Sequence, residues 1–372
     1  MQSEIASQST APRYEWADFI RGMGIVLVIL GHVSGIPLQR MSEVSPADWS
    51  VANIYNIIAR SCVPLLFMIS GALLLPRQEN LWDFYRKRFQ RVLFPFLFWS
   101  VLYVLWRYGC FSFSDAEMPW GGKACLGDYT FINATKAVLM WIVTRPAEYH
   151  MWFMYELFAL YLLTPILRLL ADGTRDRYLW YMVAIWFIFG PLQRAVEFRL
   201  QYDLIFDLGY LTGYIGYFIL GYLLTRIKIT KPMIAVAAVV YIAMAIYTVN
   251  ITRGFSMGQG KLVDYFQYLL GWNIVLLAVS LFILLKTLAN HIFRIARPRL
   301  AKFANQLTAA SFGIYLVHVF IINIFMTGPV SVSPLNAPAV FWIPAATLAV
   351  FFVSWIIIAI LLKIPYVRSL VA

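Results

Sequence analysis

Charge is scarce in this chain. Asp, Glu, Lys and Arg make up 13% of its 372 residues, and hydrophobic residues make up 61%, where a soluble domain carries about 25% charged residues. That balance excludes an ordinary water-soluble globular protein. The apolar blocks run nearly end to end, so a sizeable soluble domain has no room between them. Acidic residues are the scarcer sign, 18 against 30 basic ones, for a net charge of +12. In a soluble protein that excess would point to nucleic acid; in a membrane chain, retention of Lys and Arg on the cytoplasmic side accounts for it, and no nucleic-acid partner is expected. Cysteine is nearly absent. Cys62 falls in an apolar segment, while Cys110 and Cys125 flank an outer loop, where a disulfide and two free thiols remain equally open. No His, Cys, Asp or Glu grouping has metal-ligand spacing, so no metal is expected. Gly-rich phosphate loops and Gly-x-Ser-x-Gly elbows are missing too. So are internal repeats and matched pairs of interrupted helices, which weakens an inverted-repeat transporter. Residues 1–16 are polar and no small-residue cleavage site follows the first apolar run, so that run is expected to stay as a signal anchor.

What is present is a series of apolar segments of membrane-spanning length. The hydropathy pattern predicts an all-α, polytopic bundle of about ten transmembrane helices, near 17–37, 52–75, 92–110, 151–171, 178–192, 208–225, 232–250, 267–286, 307–327 and 340–363, with residues 1–372 forming one membrane domain. The segment at 178–192 is short and ends at Gly190-Pro191. With the N-terminus inside, about two thirds of the Lys and Arg residues fall on the cytoplasmic side, which predicts a multi-pass protein with both termini there. Two stretches concentrate that charge. Arg77 to Arg91 holds five basic residues with Trp82, Phe84, Tyr85 and Phe89 between them, and Lys286 to Lys302 holds another five. Interfacial anchoring against membrane lipid fits each somewhat better, with a binding site for a polyphosphorylated ligand as the functional alternative. The longest outer segment, 111–149, contains Asp115, Trp120, Asp128, Trp141 and Tyr149, which suit either a sugar surface or an interfacial loop; residues 134–143 within it read as an amphipathic surface helix.

The first apolar segment holds groups that a plain membrane helix would not. Asp18 and Arg21 stand below the run from Ile25 to Leu30, and His32 stands above it. Ionisable groups at membrane depth are costly and point to function. Eleven residues at about 100° per step return to the same face, about 16 Å higher along the helix. Asp18 is one turn from Arg21, close enough to pair with it. The three therefore share one stripe that should face the bundle interior. A neutral imidazole there can take a proton from a hydroxyl or attack a thioester; a histidine that only bridges two helices is the plainer alternative.

Asp18-x-x-Arg21 followed by His32 resembles the first helix of the membrane acyltransferase-3 family. Further matches follow in order along nearly the whole chain. Arg60-Ser-Cys-Val-Pro64 through Ser70-Gly71 resembles the family's second helix, and Arg88-x-x-Arg91 before Phe94-Pro95 resembles the arginine pair that opens its third. His150-Met-Trp152 through Tyr161-Leu-Leu-Thr-Pro165, and Ser311-Phe-Gly-Ile-Tyr315-Leu-Val-His318, resemble two later family segments. The resemblance implies transfer of an acyl group, usually acetyl, from acyl-CoA to a hydroxyl of a glycan or glycolipid in a bacterial inner membrane. It implies His32 as the catalytic residue, with Arg21 and Asp18 lining the path below it. It also implies Arg88 and Arg91 as contacts for the CoA phosphates and Ser70 with Gly71 as wall residues, although simple helix packing fits Ser70-Gly71 slightly better. Many members carry acids four and three residues before the equivalent of Tyr161. Here Leu157 and Phe158 occupy those places and Glu156 is one position off, as in the single-domain branch that includes an enterobacterial common antigen O-acetyltransferase. Glu156 stays open between orienting an acceptor hydroxyl and capping a solvated helix end.

His150 and Trp152 sit at the outer mouth of their helix, where an acceptor would arrive. Ser311, Tyr315 and His318 share a helix face at +4 and +3 spacing, suited to acceptor contact or proton handling, or to an interhelical hydrogen-bond network. His291 falls in a basic cytoplasmic loop. A competing class is a transporter or flippase for a lipid-linked sugar, which would use the same buried charges for recognition alone. Consumption of acetyl-CoA by the purified protein separates the two.

Overall fold

The computed structural model describes residues 14–108, 131–202, 213–295, 297–327 and 337–371. Cys110, Cys125, Asp115, Trp120 and Asp128 lie outside these, as do the side chains of Trp141, Arg297, Arg299 and Lys302. The described chain is helical throughout: α1 Glu15–Gln39, α2 Pro46–Ala59, α3 Cys62–Leu74, α4 Leu81–Arg88, α5 Phe94–Tyr108, α6 Phe131–Thr144, α7 Trp152–Arg168, α8 Asp176–Phe187, α9 Gln193–Leu200, α10 Ile215–Arg226, α11 Lys231–Gln259, α12 Trp272–Ile295, α13 Arg297–Thr327, α14 Ala339–Leu361 and α15 Pro365–Arg368. Among the described residues eight segments are long and apolar enough to cross a membrane, and Ile215–Arg226 and Ala309–Phe325 are shorter apolar helices. An all-α polytopic membrane bundle is therefore what the sequence folds into.

Helix α1 runs through the middle of it, packed against α2, α3, α12, α13 and α14. The stripe carrying Asp18, Arg21 and His32 consequently lies inside the bundle, where the cost of its polar groups is met by protein partners. The closest helix pair is α3 with α10. A Cβ on Gly71 would overlap the Phe218 carbonyl, and one on Gly221 would overlap the Met68 carbonyl. Two glycines, one from each helix, thus let the backbones meet.

Three boundaries differ from the hydropathy pattern. The span at 52–75 is two helices, α2 and α3, separated at Arg60-Ser61. Pro64 explains the break: it has no N–H to give to the Arg60 carbonyl, and its ring crowds that carbonyl. By contrast, the segment at 178–192 does not stop at Gly190-Pro191. It passes through a π-helical turn at Ile188–Leu192 and continues as α9, the extra residue in the turn accommodating the proline. Helices α11, α12 and α13 overrun their apolar stretches, so that the basic stretch from Lys286 is largely helical and His291 lies on α12. Hydropathy marks where lipid contact ends. Lys, Arg, Leu and Ala continue a helix beyond that point.

Candidate active site

Contacts gather the basic groups at one end of the bundle. Glu79, in the turn after α3, accepts from Lys87 Nζ at 2.9 Å and Arg168 Nη2 at 3.0 Å, and Arg88 Nη2 stands 3.5 Å from it. Burial alone would raise this carboxyl, but the hydrogen bonds from Lys87 and Arg168 and the charge of Arg88 outweigh it and hold the group below the ordinary carboxylate range. Phe84 lies between the two guanidiniums, 4.8 Å from Arg88 and 4.6 Å from Arg168. Arg168 also donates to the Leu74 carbonyl. Arg91 is exposed, on a π-helical turn at Phe89–Leu93 that joins α4 to α5; such turns recur at functional sites. Sequence reasoning missed Glu79 and Arg168, which are far apart in the chain and meet only because α3 and α7 end at the same level.

From this end the polar stripe leads inward. Tyr161 on α7 lies within electrostatic reach of both Arg88 and Arg21, and Arg21 Nη1 stands 3.6 Å from Asp18 Oδ1. Ser70 donates to the Leu66 carbonyl of its own helix at 2.8 Å, and Gly71 beside it serves the α3–α10 contact.

At the upper end of the stripe three histidines from three helical elements come together. The His32 ring stacks on His318 at 5.3 Å, and His318 meets His150 at 5.1 Å. Tyr149 closes the other edge of His32 at 4.9 Å. His150 and His318 are buried, whereas His32 is partly open. It is the ring of the three that a ligand can touch. His318 Nδ1 lies 2.7 Å from the Tyr315 carbonyl. A carbonyl only accepts, so Nδ1 carries the proton and Nε2 is left as a basic lone pair. Among the described residues, that Nε2 and both nitrogens of His150 are buried without hydrogen-bond partners. Buried polar nitrogens normally find one, so this triad has unused hydrogen-bonding capacity beside the only reachable imidazole. Tyr315 donates its hydroxyl to the His150 carbonyl at 2.5 Å and fixes α13 to the start of α7. Among the described residues no group of His, Cys, Asp and Glu could hold a metal ion.

A family model for an acyltransferase domain matches residues 14–359. The chain belongs to the acyltransferase-3 family. No match emerges among curated proteins or solved structures. This acyltransferase therefore carries His32, on its central helix, between a cationic end and an aromatic opening at the far end.

That opening lies beside Trp152. A cavity of about 470 Å³ there is lined by Arg60, Trp152, Arg194, Tyr214, Asp264 and Tyr268, among others. Trp152 packs on Tyr214 at 5.4 Å, and Glu156 is half-buried nearby, in electrostatic reach of Tyr214. Arg60 joins this cavity to the histidines. Its Nε donates to Asn56 at 3.0 Å, and Asn56 in turn donates to the Gly31 carbonyl at 2.9 Å and to Ser34 at 3.1 Å, on either side of His32. The charge of Arg60 acts directly on His32. The signal for Arg60 was present in the sequence: an arginine at membrane depth, four residues before a proline that frees its backbone.

Proposed function

We propose that this acyltransferase moves an acetyl group from acetyl-CoA to a hydroxyl of a surface-polysaccharide sugar or its lipid-linked precursor in a bacterial inner membrane, with both termini in the cytoplasm. The observation that carries this reading is the partly open His32 stacked on His318, its helix turn tied through Asn56 to Arg60 at the wall of a sugar-sized aromatic cavity. The CoA phosphates dock among Arg88, Arg91 and Arg168, whose guanidinium forks suit phosphate. The narrow pantetheine passes Tyr161, Arg21 and Asp18 and brings the thioester toward His32. The acceptor enters past Trp152 and Glu156.

In the direct route, His32 takes the proton of the acceptor hydroxyl as its oxygen bonds to the acetyl carbon. The carbon–sulfur bond breaks, CoA leaves as thiolate, and the proton held on His32 passes to it, so that one hydroxyl and one thioester give one ester and one thiol. In the carrier route, a His32 nitrogen bonds to the acetyl carbon as the carbon–sulfur bond breaks and CoA leaves as thiolate; the acceptor oxygen then bonds to that carbon, the carbon–nitrogen bond breaks, and the hydroxyl proton passes to the thiolate. His318 serves either route by stacking on the His32 ring and fixing its plane. The single-domain branch of the family, which includes an enterobacterial common antigen O-acetyltransferase, offers the nearest pattern at Glu156.

The test is release of free CoA from acetyl-CoA by the purified protein in lipid, with and without a crude glycolipid extract, for the wild type and His32→Ala. Turnover that vanishes in the variant supports a transferase centred on His32. Absence of acetyl-CoA binding and turnover in both proteins returns the transporter or flippase reading to first place.

A further inference from the structure

Arg60 presents an electrostatic problem. It sits at the break between two intramembrane helices, and a buried or half-buried cation there is stable only with compensation. Its hydrogen bonds go to neutral amides: Nε to Asn56, and Nη2 to Gln267 Oε1 at 2.7 Å. Gln267 is itself fixed by donating to Asn53, which donates to the Val249 carbonyl. This chain of amides pins the guanidinium plane without neutralising it. Asp264 is in electrostatic reach of Arg60, but it is exposed at the cavity edge and no ion pair joins it to Arg60 or Arg194. Among the described residues the remaining nitrogen, Nη1, has no hydrogen-bond partner.

Arg194 faces the same cavity from α9, held over the Tyr268 ring at 4.1 Å. Two oriented guanidiniums therefore share a space of about 470 Å³ with the Trp152, Tyr214 and Tyr268 rings. Aromatic faces with a few placed polar groups are what a sugar ring requires. Two arginines, one already pinned at two of its nitrogens, are what an anion requires.

We propose that this cavity is the acceptor site and that it selects an anionic sugar, one presenting a carboxylate or a phosphate to Arg60 and Arg194 while its ring stacks on Trp152 and Tyr214. The inference rests on the reading of the protein as a transferase with a glycan acceptor and adds the charge class of that acceptor. The anion supplies the compensation that Arg60 lacks among the described residues, and Arg60, tied through Asn56 to the helix turn that carries His32, sets the distance between the anion and the reacting hydroxyl.

The test is equilibrium binding to the purified full-length protein in neutral-lipid nanodiscs of three probes: octyl glucoside, octyl glucuronide and the 6-phosphate of octyl glucoside. One charge-assisted hydrogen bond corresponds to a preference of roughly ten- to a hundredfold, so one or both anionic probes should bind at least about tenfold tighter than the neutral one. Tighter glucuronide indicates a uronate acceptor; tighter phosphate indicates a glycosyl or lipid-linked phosphate. The preference should collapse in Arg60→Gln and in Arg194→Gln. The second variant, on an exposed side chain, keeps the test valid if the first does not fold. Equal binding of the neutral probe, a preference that survives both variants, or no saturable binding of any probe overturns the proposal. The assay contains no acetyl-CoA, so a failure of donor turnover would count against the acetyl-transfer reading alone, and a failure here against the anionic acceptor alone.

Discussion

Removing the Glu79 carboxylate by Glu79→Gln should weaken the fold and at the same time improve donor binding. Three cations converge on this one group, and their contributions differ with exposure. Lys87 is 50% exposed in its side chain, so its 2.9 Å contact is worth roughly 0.2–1 kcal/mol. Arg168, 11% exposed, makes a charge-assisted bond worth roughly 1.5–3 kcal/mol, part of which a glutamine oxygen retains. Arg88 at 3.5 Å adds charge without a well-formed hydrogen bond. The expected net loss at neutral pH is roughly 1–3 kcal/mol, read as a fall of about 2–6 °C in apparent melting temperature. The pH dependence has a definite sign. The folded-state pKa of Glu79 lies below its ordinary value of 4.5. Its contribution is thus complete above that value and is lost as pH falls through the depressed folded value. Melting curves of wild type and variant should differ by a constant amount through the neutral range and converge only below about pH 4.5. Meanwhile Glu79 competes with CoA phosphates for Arg88 and Arg168, so the variant should bind CoA more tightly. Unchanged melting with unchanged CoA affinity would refute both the ion cluster and its place in the donor site; lower stability with weaker CoA binding would refute the competition.

Two further substitutions probe the packing and the histidine group. Gly71→Val places two methyl groups where the Phe218 carbonyl already stands. Because that obstacle is backbone, the cost should exceed the roughly 1–3 kcal/mol of ordinary overpacking. Recovery of monodisperse protein after detergent extraction should fall sharply, and normal recovery would contradict the α3–α10 contact. His318→Gln removes the ring that stacks on His32; CoA release should fall by about 10²-fold with CoA affinity unchanged, while full turnover would leave His318 a packing residue.

The parts of this structure that the sequence made legible are those set by local periodicity. Spacing within one helix placed Asp18, Arg21 and His32 on a common stripe, and the structure shows Asp18 and Arg21 as an ion pair on the central helix. Apolar length located the ten segments, since lipid imposes it on each one separately. What depended on contact between distant segments was not legible. Nothing in the neighbourhood of His150 or His318 announces that both will meet His32, because that meeting is made by the packing of α13 on α1 and by the turn at Tyr149–Met151 set beside them. Helix ends escaped for a different reason: polar residues end the lipid contact of a helix without ending its hydrogen bonding, so α12 and α13 run on through basic sequence. Arg60 lies between the two cases. Its charge and the following Pro64 are local signals, yet hydropathy alone gives one unbroken span at 52–75 where the structure has two helices with a cation at the break. Its partners Asn56, Asn53 and Gln267 are unremarkable in sequence and become meaningful only when α2, the turn at Tyr265–Gln267 and α1 are brought together. A cation that the sequence can locate but not neutralise, held by amides that leave its charge uncompensated, is the physical ground for expecting the missing charge to arrive with the substrate.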